Sequence, residues 1–129
     1  MKTMETCAAF LAIRLRLNLH EKEIQRCFCN FLELKDRNAL MRCIMQKFEK
    51  NECLVNKLGS WLGVGHRESL TENDVISLFG EDKLESFANG LHVSRQNLVM
   101  ALAEMLPAII RRYLLTDPYG AIQVEINWQ

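Results

Sequence analysis

No one sign of charge dominates this 129-residue chain, in which 16 Lys and Arg balance 16 Asp and Glu. A chain with no net positive field has no overall pull toward nucleic acid or an anionic membrane. It also lacks any apolar run of the roughly 20 residues that a membrane-spanning helix needs. No internal repeat, linker or low-complexity stretch divides it, and its length suits one sizeable core, so a single domain over residues 1–129 is expected.

The motifs of common chemistries are missing too. Gly63-Val64-Gly65 has no third glycine, no Lys-Ser/Thr ending and no strand before it, so it reads as a turn and not as a phosphate loop. His20, His66 and His92 are scattered, and none adjoins a Ser or Cys in a nucleophile arrangement. Glu81 and Asp82 are adjacent, but in the first turn of a helix two acids complement the macrodipole, a simpler role than acid-base work. These readings point away from an enzyme, and no cofactor or metal is expected.

The five cysteines, Cys7, Cys27, Cys29, Cys43 and Cys53, are odd in number and contain no Cys-x-x-Cys. Cys27 and Cys29 are two apart, which on a helix turns their sulfurs about 200° from each other and makes a poor metal pair. The set reads as reduced, mostly buried thiols in a cytoplasm. The start of the chain looks superficially like a secretory signal. Its apolar core, Cys7 to Ile13, is short, however, Glu5 falls in what would be the basic region, and no small-residue cleavage site follows. A cytoplasmic protein with no membrane span is the expectation.

Charge is uneven along the chain. Residues 1–69 carry about +4 and residues 70–129 about −4, a dipolar pattern that suits an oppositely patterned partner or self-association.

What the sequence does contain is helical periodicity, strongest after Ser94. Ser94 is an N-cap type and Asn97 stands three residues on, so a helix should begin at Arg95. Leu98, Leu102, Met105, Ile109 and Tyr113 recur at steps of four and three, and Val99, Leu106 and Ile110 widen the stripe, leaving a polar ladder of Asn97, Glu104 and Arg111. Such a helix must be wrapped by others and reads as a central post. Pro107 predicts a kink or break, because its ring displaces the carbonyl of Ala103, and Arg111 and Arg112 suit the helix's negative end.

Two short helices precede it. Thr71 with Asp74 forms a capping box for the first, whose inward face is Val75, Ile76 and Phe79 and which Gly80 closes in the left-handed conformation. The second runs from Glu81 to Asn89 with Leu84, Phe87 and Ala88 inward and Gly90 as the stop. The three should pack as a trihelical unit.

Upstream, Glu21 to Leu34 carries Ile24, Cys27, Phe28, Phe31 and Leu32 on one face. Asp36 caps a helix through Leu40, Ile44, Met45 and Phe48, and Asn51 marks a break. Glu52 to Leu62 turns Leu54, Val55, Leu58 and Trp61 inward with Gly59 as a close-approach position, and Trp61 reads as a core anchor. Both ends are ambiguous. Ile13, Leu15, Leu17 and Leu19 alternate with polar residues as a strand would, yet the same segment fits the end of an amphipathic helix. Ile122, Val124, Ile126 and Trp128 alternate in the tail. A small terminal β pairing, with Arg14 or Arg16 facing Glu125, is therefore an alternative to helix and tail.

Gly59-Ser60-Trp61-Leu62-Gly63-Val64-Gly65, Leu70-Thr71, Leu78-Phe79-Gly80, Phe87-Ala88, Gly90-Leu91, Val93-Ser94, Leu106-Pro107 and Leu115-Thr116-Asp117-Pro118-Tyr119-Gly120 together resemble the bacterial YidB-like family, over about residues 45–120. The Gly-rich amino-terminal part typical of the family is replaced here by ordinary apolar and charged sequence over residues 1–44, and residues 121–129 form a tail or short strand outside the pattern. The resemblance implies a homeodomain-like orthogonal helical bundle in a bacterial protein, and no activity, since none is established for the family.

The sequence thus predicts an all-α, compact multi-helix protein that works by protein interaction, as an adaptor, regulatory or immunity-type module, with Arg14, Arg16, Glu125 and Trp128 as candidate contacts. The alternative is a helix-turn-helix DNA binder, because Ala88 to Leu98 scans like such a junction and Arg95, Gln96 and Asn97 are types that read base edges. Against it, Leu70 to Pro107 holds six acids and only Lys83 and Arg95 as bases. A weaker third reading is membrane-surface binding through the basic amphipathic stretch Ala12 to Arg26.

Overall fold

The computed structural model describes residues 3–62 and 69–116. Among them are seven α-helices and no strand: α1 (Thr3–Arg14), α2 (Glu21–Leu32), α3 (Leu40–Glu49), α4 (Glu52–Leu62), α5 (Glu72–Phe79), α6 (Glu81–Leu91) and α7 (Arg95–Thr116). The expected all-α bundle is therefore observed. The alternating tail, including Glu125 and Trp128, and the Gly63 to Gly65 turn lie outside the described residues.

Helix α7 is the post. Leu98 and Leu102 are 0% exposed and Met105 1%, while Val99, Leu106, Ile109, Ile110 and Leu114 are also buried. It packs against α1, α4, α5 and α6. Helices α5, α6 and α7 touch one another pairwise as the trihelical unit, α2 lies over α1 and α6, and α3 lies over α4 with contacts to α1 and α5. One continuous apolar cluster runs through all seven helices. Pro107 does not break α7, which is helical on both sides of it. An interior proline costs about 3 kcal/mol, and burial of the flanking Met105, Leu106, Ile109 and Ile110, at about 1.5–3 kcal/mol each, outweighs it.

The N-caps follow the sequence. The Ser94 hydroxyl accepts from the Asn97 amide at 3.1 Å. The Thr71 hydroxyl accepts from the Asp74 amide at 3.1 Å, and Asp74 in return accepts from the Thr71 amide at 2.9 Å. Asn51 caps α4 through the amides of Cys53 and Leu54. Asp36 instead caps a 3-10 turn, Arg37–Ala39, that leads into α3. His20 is an N-cap that composition gives no reason to expect: its Nδ1 accepts from the Lys22 amide at 3.2 Å.

The C-termini depart from expectation in a shared way. After α1, α2 and α6 the chain turns through a left-handed residue that is not glycine: Arg16 (φ 52), Glu33 (φ 55) and His92 (φ 61). Each is followed by an apolar residue whose amide reaches back five positions: Leu17 to the Ala12 carbonyl at 2.9 Å, Leu34 to Cys29 at 2.9 Å and Val93 to Ala88 at 3.0 Å. This is the Schellman closure, in which the apolar residue after the left-handed one packs back on the helix. Leu17, Leu34 and Val93 all pack against the core. The alternation from Ile13 to Leu19 is thus a helix end and a turn, not a strand. The closure accounts for the apolar residue at Leu17.

Three glycine readings are corrected. Gly90 lies inside α6, where a Cβ would stand 3.1 Å from the Cys27 Sγ. It lets α2 approach, and His92 takes the left-handed position instead. Gly59 has open space where a Cβ would be and mediates no close approach. Gly80 has φ 89 with ψ 145, a positive but extended conformation, in which it ends α5 and begins α6 at once.

The aromatic side chains assigned inward on separate helices meet. Phe31 stacks on Phe87 at 4.5 Å and lies 4.9 Å from Phe79, while Phe28 meets Phe87 edge-on at 5.3 Å, so α2 is fastened to α5 and α6. Trp61 is 1% exposed and edge-on to Phe48 at 5.7 Å.

Two outcomes follow. Leu102→Ala should cost about 2–5 kcal/mol in urea unfolding, as deletion of a large buried side chain does. His92→Gly should raise stability by about 1 kcal/mol, because it removes the left-handed penalty of a side chain.

Candidate interaction surfaces

Arg95, Gln96 and Asn97 form the first turn of α7, with Arg95 half-buried and the other two exposed. They come together as the DNA reading requires, but their neighbour is the first turn of α5: Glu72, Asn73, Arg95 and Gln96 line a shared cleft of about 330 Å³. A carboxylate therefore stands where phosphate would have to approach. The following residues, Leu98 and Val99, point into the core.

Arg14 meets Glu104, and this ion pair links α1 to α7. Arg16 is exposed in its left-handed turn. Ile13, the chain neighbour of Arg14, is 80% exposed, and Met100, one turn before Glu104 on α7, is 40% exposed. The sequence reading missed Met100. The signal was there: it falls between Asn97 and Glu104 on the polar stripe, where an apolar residue is out of place.

Glu104 also borders a groove of about 470 Å³ between α4 and α7, lined by Trp61, Leu70, Ala103, Pro107 and Ala108. Arg111 borders it and donates from Nε to the Trp61 carbonyl at 3.0 Å. It thus sits at the negative end of α4 and not, as its place in the sequence suggests, at the end of α7, which continues to Thr116.

Lys57 of α4 is the main polar tie to α5. Its Nζ donates to Asp74 Oδ2 at 2.6 Å and to the Ser69 carbonyl at 2.8 Å. Burial pushes the Asp74 carboxyl upward, but hydrogen bonds from Lys57 and Thr71 and the Lys57 charge outweigh it and hold the group below the usual range. Glu33 is lowered by its hydrogen bond to Lys83 at 2.9 Å and by that residue's charge.

The thiols are less uniformly buried than expected. Cys7 is enclosed and pushed up to about 12 by burial. Cys27 is half-buried and raised by burial and by Glu23, partly offset by Arg26. Cys29 and Cys43 are half-buried, and Cys53 is exposed. All five are unpaired. No group of His, Cys, Asp and Glu among the described residues is placed to hold a metal ion. No helix among them is long and apolar enough to cross a membrane.

Fold and surfaces define an all-α protein with a buried central helix, an interhelical Arg14–Glu104 ion pair and two large apolar side chains, Ile13 and Met100, left exposed. The family model described as YidB-like protein matches residues 38–123, two thirds of the chain, and the protein belongs to that family. The match begins before α3, earlier than the motifs alone suggest. No curated protein and no solved structure matches the chain, so the homeodomain-like arrangement stays an implication of the resemblance.

A group whose folded pKa is lowered contributes stability above its unfolded value, and that contribution disappears as pH falls through the folded value. The stability difference between wild type and Asp74→Asn should therefore be largest near neutrality and shrink below about pH 4, near the free carboxylate value, in urea titrations at a series of pH values. In the native protein a thiol reagent should modify Cys53 first and Cys7 only on unfolding, as mass spectrometry of partly labelled protein would show.

Proposed function

We propose that this protein acts by binding another protein, as a non-enzymatic adaptor, regulatory or immunity-type module of a bacterial cytoplasm. The observation that carries this reading is Ile13, an aliphatic side chain 80% exposed and the chain neighbour of Arg14 in the Arg14–Glu104 pair, with Met100 exposed one turn away from Glu104. Apolar atoms next to a fixed charge pair are the makings of a small contact site: the apolar group supplies desolvation energy and the charges supply orientation. The dipolar charge of the chain is consistent with such a partner, or with a second copy.

The DNA-binding reading keeps one favourable feature, exposed Gln96 and Asn97 on the first turn of α7. Glu72 in the same cleft and the burial of the rest of that helix weigh against it.

The two readings separate experimentally. With the full chain as bait in its native cell extract, a partner should be recovered by wild type and lost with Ile13→Glu, a change at an exposed site that should leave the unfolding curve in place. Equal recovery by both would refute the proposed surface. Retention on duplex DNA that weakens with salt and vanishes with Arg95→Glu would favour the nucleic-acid reading instead; the protein-binding reading expects no such retention.

A further inference from the structure

We draw no further inference here: the strongest candidate, the apolar groove between α4 and α7 lined by Trp61, Leu70, Pro107 and Ala108, carries nothing because nothing among the described residues shows what covers it.

Discussion

An α-helix that is apolar on most sides has to be covered on most sides, and the placement of the other helices answers to that requirement in α7. Its buried residues, from Leu98 to Leu114, meet α5 and α6 from the carboxy-terminal part of the chain and α1 and α4 from the amino-terminal part. Burial of this kind is non-directional and scales with apolar area. It accounts for the survival of α7 through Pro107, where local propensity favours a kink or break.

Directional interactions then determine how the covering helices end and meet. Three helices close with the same Schellman turn on three different non-glycine residues, Arg16, Glu33 and His92. In each, an apolar residue anchors the turn to the core and offsets the left-handed backbone cost. Lys57, Arg111 and Arg14 each tie one helix to another through a charged hydrogen bond. Their partners are a capping carboxylate, a helix-terminal carbonyl and a surface acid, so two of the three also serve a helix end.

Helix existence and core membership were legible because they depend on a period that the sequence carries openly. Leu98, Leu102 and Met105, or Ile24 and Phe28, repeat at steps that only one face of a helix produces. Starts were legible where Ser94 and Thr71 offer a side-chain oxygen, while Asn51, legible only as a break, turns out to cap α4. Ends were not, since glycine is only the commonest left-handed residue: Gly90 was needed for the approach of Cys27, and His92 took the turn. Which side chains stay exposed, and which meet across helices, was the least legible level. The Arg14–Glu104 pair spans 90 residues, and the exposure of Ile13 and Met100 follows from which sides of α1 and α7 the other helices leave bare. Neither is a local property of the chain.

The functional reading inherits the same dependence. A buried α7 leaves only its first turn and one narrow stripe for contacts, and that stripe sets the acid Glu104 between Asn97 and Arg111, which weakens the positive surface that a duplex requires. The most direct test is native-state amide hydrogen exchange along α7. The account predicts that the amides from Leu102 to Ile110, Pro107 having none, exchange only with global unfolding, as the most protected in the protein. Exchange of that segment at a free energy well below the global value, with α2 or α3 still protected, would contradict it.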